Sequence, residues 1–238
     1  MTDHTVRSFT EQLDTLSSRV AQMGGLAEAQ LAAAIDAIAK RDSGLAERAV
    51  GGDIRIDEVQ QEIEDKALKL LALRQPMAVD LRETLAAIKT ASELERIGDL
   101  AKNIAKRAIV LNREPPIRLT QSLGRMGKQA LSQLKQVLDA YSHRDATAAE
   151  AVWNQDGEID EVYNSLFREL LTYMMEDPRT IGMGTHLLFV AKNIERCGDH
   201  ATNIAEVVYH MVRAGHLANN RPKADTTSET SVPFEAKP

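Results

Sequence analysis

Cysteine and aromatic residues are scarce in this chain. Its 238 residues include one cysteine, Cys197, and only 4% of them are aromatic. A single cysteine cannot form an internal disulfide, which argues against a disulfide-stabilised secreted scaffold. Because strands are enriched in aromatic and β-branched residues, the low aromatic content favours helices over sheets. The abundance of Ala, Leu, Glu, Lys, Arg and Gln favours helices as well.

Long apolar runs and basic patches are also missing. No uninterrupted apolar stretch reaches the roughly 20 residues that a membrane-spanning helix needs. The polar start of the chain, MTDHTVRSFTEQLD, is not typical of a signal peptide, so we expect a cytoplasmic location. The net charge is -6 and no segment concentrates Lys and Arg, which argues against nonspecific nucleic-acid binding.

The sequence carries none of the common motifs of nucleophilic or phosphate-binding enzymes. It has no G-x-S-x-G, no cysteine with a credible histidine base and no glycine-rich phosphate loop. We therefore expect a protein without enzymatic activity. Two alternatives stay open at this point: a metal-dependent phosphoester hydrolase, and a plain helical scaffold.

What the sequence does contain is one segment written twice. Residues 91–105, ASELERIGDLAKNIA, recur as residues 191–205, AKNIERCGDHATNIA, at an offset of 100. A second offset, 103, relates Ile56-Asp57-Glu58-Val59 to Ile159-Asp160-Glu161-Val162. Repetition at nearly fixed offsets indicates that one structural unit is used twice.

Apolar residues spaced 3 and 4 apart predict three helices in each unit. The first unit gives a long helix over 6–38, a second that ends at the Arg74-Gln75-Pro76 break, and a third that ends near Asn112. The second unit predicts helices over 123–141, 145–176 and 180–214. We therefore predict an all-α fold of two tandem three-helix bundles with six long helices. The predicted boundaries are 1–113, 114–215 and a disordered polar tail, 216–238.

Acidic side chains recur on the same ridge of the predicted helices. In each repeated segment a Glu and an Asp are four residues apart, away from the apolar stripe, and an Asn follows one turn later. Such oxygen ligands suit hard cations or iron rather than a soft-ligand metal. The candidate ligands are Glu95, Asp99, Glu195 and Asp199, with Asp53, Asp57, Asp156 and Asp160 as weaker candidates.

A second interpretation of these carboxylates is a solvated helix face with intrahelical ion pairs. Arg96 with Asp99, and Lys192 with Glu195, have suitable spacing for such pairs. Beside the acidic ridge each segment keeps a glycine, Gly98 or Gly198, in mid-helix. This costs about 1 kcal/mol relative to alanine and indicates that the position needs room.

Three motifs together resemble the PhoU family of bacterial phosphate-signalling proteins. They are QPMAVDLR at 75–82, ERIGD at 95–99 and ERCGDHATNIAE at 195–206. The resemblance extends from about residue 4 to about residue 212. Cys197 departs from the aliphatic residue usual in the family, and we expect it to be a small buried hydrophobe, as Ile97 would be.

The resemblance implies a negative regulator of phosphate uptake and of phosphate-starvation signalling. Family members act as adaptors between the phosphate ABC transporter, through its ATPase subunit, and a sensor histidine kinase. They are peripheral to the membrane through these partners only. The resemblance also implies the two-bundle fold, and clusters of iron, zinc, manganese or magnesium on the Glu/Asp-xxx-Asp motifs. We also expect a homodimer.

Overall fold

The computed structural model describes residues 2–74, 78–116, 119–217, 221 and 223–230. Its helices are α1 (Thr2–Ala39), α2 (Ser43–Arg74), α3 (Val79–Leu111), α4 (Leu119–His143), α5 (Ala146–Asn154), α6 (Asp156–Glu176) and α7 (Ile181–Arg213), with 3₁₀ turns at Pro178–Thr180 and Thr227–Glu229. This part of the chain contains no strand, and the all-α prediction is confirmed. The predicted Gln75-Pro76 break lies outside the described residues.

The predicted helix over 145–176 is interrupted. The structure divides it into α5 and α6 at Gln155, whose backbone N–H donates to the Val152 carbonyl at 3.0 Å, in the tighter i to i+3 pattern. The Gln155 carbonyl accepts a hydrogen bond from Gln133 Nε2 at 3.0 Å. A side chain of α4 therefore donates a hydrogen bond to a backbone carbonyl at the interruption. Helical periodicity does not predict this contact.

The connection between the first and second helices has the same structure in both repeats. Arg41 and Arg144, 103 residues apart, both adopt left-handed backbone angles, with φ of 55° and 52°. The aspartate that follows each arginine caps the next helix: Asp42 Oδ1 accepts from the Leu45 N–H at 2.9 Å, and Asp145 Oδ1 from the Thr147 N–H at 2.9 Å. The internal repeat therefore extends to the detailed geometry of the corners.

The apolar stripes of the two repeated segments lie in the core, as their spacing predicts. Leu94, Ile97 and Ala101 of α3 are fully buried, and Ile194 and Cys197 of α7 are nearly so. Each helix buries one stripe and leaves the opposite face polar. None of the helices in the described ranges is long and apolar enough to cross a membrane.

The two repeats pack together through α1 against α4 and α3 against α7. On the first pair, Gly24 faces Leu138 and Gly127 faces Ile35. Subtracting 103 from 127 and 138 gives 24 and 35, so these two contacts are the same contact seen from either repeat. The helices of this pair are therefore antiparallel and related by an approximate two-fold axis.

The two motif glycines mark close approaches between helices within each repeat. A Cβ on Gly98 would lie 3.0 Å from Ile56 Cδ1 and 3.2 Å from Gln30 Oε1. A Cβ on Gly198 would lie 2.8 Å from Ile159 Cδ1 and 3.4 Å from Gln133 Oε1. The room that the sequence predicts at these glycines is thus filled by an isoleucine and a buried glutamine in both repeats.

We expect Gly127→Ala to destabilise the protein. The added Cβ would lie 2.8–2.9 Å from three side-chain atoms of Ile35, which is buried and, as a β-branched residue in a helix, has little rotamer freedom. Overpacking should exceed the helix-propensity gain, and the free energy of unfolding should fall by about 1–2 kcal/mol in urea denaturation.

Gly52→Ala is the matched control, because nothing lies within 4 Å of a Cβ at that position. It should leave the stability unchanged or raise it by up to about 1 kcal/mol. Equal stability of the two variants would contradict close packing of α4 on α1.

Candidate functional site: two acidic clusters

The predicted site residues fall into two groups, one in each repeat. The first acidic cluster lies where α2 faces α3, and its members are Asp53, Asp57, Glu95 and Asp99. The second acidic cluster lies where α6 faces α7, and its members are Asp156, Asp160, Glu195 and Asp199. The stronger and the weaker candidates of the sequence therefore come together in both repeats.

In the first acidic cluster a lysine lies between the two helices. Lys102 of α3 donates a hydrogen bond to Asp53 Oδ2 of α2, and its Nζ is 3.5 Å from Asp99 Oδ1. The Asp53 side chain is only 4% exposed, and Lys102 is the cation that pairs with it. Asp99 pairs with Lys102 here. The sequence spacing predicts Arg96 as the partner of Asp99, but Arg96 Nε lies 3.6 Å from Glu95 Oε2 instead.

The remaining carboxylates of the first acidic cluster repel one another. Burial raises the pKa of Asp57, the charge of Asp53 raises it further, and Lys102 offsets part of the shift. Burial also raises the pKa of Glu95, as does the charge of Asp99. Four carboxylates that are paired, within the described ranges, only with Lys102 and, at 3.6 Å, with Arg96 would accept further positive charge.

In the second acidic cluster one compensating cation comes from the segment that follows α7. The Arg221 guanidinium donates to both carboxylate oxygens of Asp156 at 2.6 Å, from Nε and Nη2. Its Nη2 also lies 2.7 Å from Asp199 Oδ1, and Lys223 Nζ lies 3.3 Å from the same oxygen. Asp156 is 3% exposed and belongs to α6, whereas Asp199 belongs to α7. One arginine thus joins the two helices.

The backbone after Arg221 continues along the second acidic cluster. The N–H groups of Ala224 and Asp225 donate to Asp160 Oδ2 at 2.8 and 3.1 Å. Asn164 of α6 donates to the Ala224 carbonyl at 2.6 Å and accepts from the Thr226 N–H at 3.1 Å. Residues 221 and 223–230 thus differ from the disorder expected for 216–238, because side chains of α6 and α7 satisfy their polar groups.

Glu195 is the most buried carboxylate of α7, with a side chain that is 4% exposed. Burial raises its pKa to about 7, the hydrogen bond from Lys192 opposes this shift, and the charge of Asp199 adds to it. Lys192 Nζ lies 2.9 Å from Glu195 Oε2, which is the intrahelical pair expected from the spacing. The same Nζ bonds Asp225 Oδ2 at 2.8 Å, so Lys192 also holds the chain end.

Asn203, the motif asparagine of α7, connects the second acidic cluster to the first repeat. Its Oδ1 accepts from Arg221 Nη1 at 3.0 Å, and its Nδ2 donates to Glu93 Oε2 of α3 at 3.0 Å. His200 Nδ1 lies 2.7 Å from the same Glu93 oxygen. The histidine therefore pairs with a carboxylate across the contact between the repeats.

Comparison with known proteins assigns the family. The profile described as "PhoU domain" matches residues 20–108 and 123–208, one match for each repeat. The chain belongs to the PhoU family. It is 56% identical over 230 residues to the phosphate-specific transport system accessory protein PhoU homolog of Caulobacter vibrioides, covering 96% of this chain and 100% of the relative.

Two solved PhoU structures confirm the fold. The crystal structure of PhoU from Pseudomonas aeruginosa superposes with a TM-score of 0.85 at 38% identity, covering 87% of this chain and 100% of that one. The phosphate transport system regulatory protein PhoU from Streptococcus pneumoniae gives 0.80 at 29% identity, covering 88% and 99%. The double three-helix bundle is thus shared with experimentally determined PhoU proteins.

The PhoU resemblance implies metal clusters at these carboxylates. The donor chemistry suits hard cations, because every candidate ligand is a carboxylate. In the described ranges, however, no three His, Cys, Asp or Glu side chains are arranged to hold a metal ion. Lys102 and Arg221 bind these carboxylates where the metal is expected.

Sequence reasoning missed both cations for different reasons. Lys102 lies three residues after Asp99, so helical spacing could have found it. Arg221 lies in a polar segment without periodicity, and no local signal connects it to Asp156. Cys197, by contrast, is the buried hydrophobe that was predicted, and burial raises the pKa of its thiol.

We expect Lys102→Met to destabilise the protein at neutral pH, because it leaves the buried Asp53 carboxylate without its cation. The free energy of unfolding should fall by about 2 kcal/mol in denaturant titrations with a chelator present. Adding Asp53→Asn should restore most of this loss. Lys106→Met, one turn further along α3 at an exposed position, is the control, and an equal effect of both lysine variants would refute the pairing.

The raised pKa of Glu195 predicts a stability that depends on pH. Between its ordinary value of 4.5 and about 7 the unfolded chain releases the proton while the folded chain keeps it, so this residue lowers stability as the pH rises. Glu195→Gln cannot titrate, so it removes this loss of stability. The free energy of unfolding of the variant should exceed that of the wild type by about 1–3 kcal/mol at pH 8, and the difference should shrink toward pH 5.

Glu95→Gln is the matched control for this measurement, because the Glu95 side chain is 22% exposed and better solvated. Its gain should be smaller at every pH. Curves for Glu195→Gln and wild type that run parallel from pH 5 to 8 would show that burial does not shift this group.

Proposed function

We propose that the chain is a cytoplasmic negative regulator of phosphate uptake and of phosphate-starvation signalling. It acts as an adaptor between the phosphate ABC transporter, through its ATPase subunit, and a phosphate-sensing histidine kinase, and it reaches the membrane only through these partners. The observation that carries the proposal is family membership over nearly the whole chain, with a 56% identical relative named as a phosphate-transport accessory protein. The regulatory part is supported by the name of the Streptococcus pneumoniae protein.

The surface chemistry supports an interaction role. A rigid helical body carries two acidic clusters, and each already binds a basic side chain of the same molecule. Carboxylates held at fixed spacing on helices can recognise Lys and Arg of a partner, and complementary charge accelerates encounter. The homodimer expected from the resemblance stays a prediction.

The expected metal clusters stay a prediction as well. A metal at the first acidic cluster would have to displace Lys102, and one at the second acidic cluster would have to displace Arg221. The alternative function, a metal-dependent phosphoester hydrolase, would need a metal with an open coordination position at one of these clusters.

The adaptor role predicts that the first acidic cluster matters for docking. Glu95→Ala combined with Asp99→Ala should weaken binding to the transporter ATPase or to the kinase by about ten-fold, because charge complementarity is lost. The melting temperature should change little. Binding is measured by interferometry on the purified full-length chain, with a chelator and with added Mn²⁺, and a difference between the two conditions shows whether metal contributes.

Glu58→Ala combined with Glu62→Ala is the matched control, since this acidic pair has the same spacing on α2 and makes exposed ion pairs outside the cluster. It should bind as the wild type does. A gene deletion should also raise a phosphate-starvation reporter in phosphate-rich medium. An unchanged reporter would contradict the regulatory proposal. Equal binding by all variants would show that the first acidic cluster does not contribute to docking.

A further inference from the structure

The second acidic cluster already holds a peptide. Arg221 and residues 223–226 lie outside any helix and against α6 and α7, and they are bound through a side chain, backbone N–H groups and a backbone carbonyl. This combination resembles peptide recognition, in which main-chain hydrogen bonds supply affinity and a charged anchor supplies specificity. The groove between α6 and α7 thus has the properties of a receptor for a non-helical segment.

The anchor is a partly buried, bidentate arginine. Arg221 Nε and Nη2 donate to the two oxygens of Asp156, the fork geometry that a planar guanidinium makes and a lysine cannot. Asp199 and the Asn203 amide accept from the same guanidinium. Four hydrogen bonds to side chains therefore converge on one arginine.

Comparison of the repeats shows why the second one needs this segment. In the first repeat Lys102 of α3 supplies the cation. Its counterpart at the offset of 100 is Thr202, which is neutral and fully buried. The second acidic cluster therefore has no cation at the matching position of its own helix. Arg221 provides one from outside the repeat, so the cation belongs to a helix of the cluster in the first repeat and to a non-helical segment in the second.

We propose that the groove between α6 and α7 is a binding site for a non-helical, arginine-bearing peptide, and that the chain's own Arg221 and residues 223–230 occupy it as a displaceable internal ligand. A partner that presents such a segment to the second acidic cluster must first displace them. In the described residues, the first acidic cluster is paired with Lys102 of its own repeat and has no such internal ligand. This inference does not depend on which partners the proposed function names.

The tether makes the internal ligand hard to displace. A segment joined to α7 by a short connection acts at an effective concentration of the order of millimolar. A separate peptide of the same sequence therefore competes poorly with it, although both make the same contacts. Removing the internal anchor should free the groove.

The test uses the full-length chain and a fluorescent synthetic peptide of residues 221–230, RPKADTTSET. By fluorescence anisotropy, Arg221→Glu should bind this peptide about ten-fold or more tightly than the wild type, because the internal competitor has lost its anchor. Adding Asp156→Asn and Asp199→Asn to Arg221→Glu should abolish that binding. Arg179→Glu, which changes an exposed arginine paired only with Asp177, should behave as the wild type.

Hydrogen exchange gives a second readout that does not need the peptide. The N–H groups of Ala224, Asp225 and Thr226 donate to α6 side chains, so they should be protected in the wild type. In Arg221→Glu they should exchange at least about ten-fold faster, while the amides of α7 stay protected. The proposal is overturned by equal or absent peptide binding in wild type and Arg221→Glu, or by unprotected amides at 224–226 in the wild type.

Discussion

The close approach of helices at the motif glycines determines much of what this chain can do. Without a Cβ at position 98 or 198, α3 and α7 come so near α2 and α6 that Ile56 and Ile159 fill the space. This contact places the carboxylates of both helices side by side. Charges brought together at a partly buried contact must be neutralised, protonated or bound by a cation. The acidic clusters are thus a consequence of packing as well as of composition.

The two repeats solve this charge problem differently. The first acidic cluster uses Lys102, an integral part of α3. In the second acidic cluster Lys192 of α7 pairs with Glu195, but Asp156 and Asp199 are paired by Arg221, a residue 22 positions after Asp199. The accessibility of these two aspartates is therefore tied to the position of the segment after α7. Each repeat also buries a glutamine whose polar atoms are only partly satisfied. Gln30 and Gln133 each donate to a backbone carbonyl and leave Oε1 without a hydrogen-bond partner in the described structure.

Most of the fold was predictable from the sequence, because helix periodicity and the repeat are local signals. Helix ends agree within a few residues where Asp42 and Asp145 provide caps. The interruption at Gln155 was not predictable, since helical periodicity continues across it, and the hydrogen bond from Gln133 of another helix leaves no local signal. The acidic residues of the candidate site were singled out by spacing and repetition. Arg221 was not, because a non-helical segment held by distant side chains leaves no periodic trace.

The approximate two-fold relation between the repeats also separates what the two copies share from what each has alone. Gly24 with Leu138 and Gly127 with Ile35 form a self-complementary contact of the kind that joins two identical subunits. Each repeat therefore contributes the same two positions to the contact, a glycine and an aliphatic residue. Away from this contact the two copies need not match, because both lie on one chain and each is present once. Lys102 and Thr202, at matching positions, show this difference.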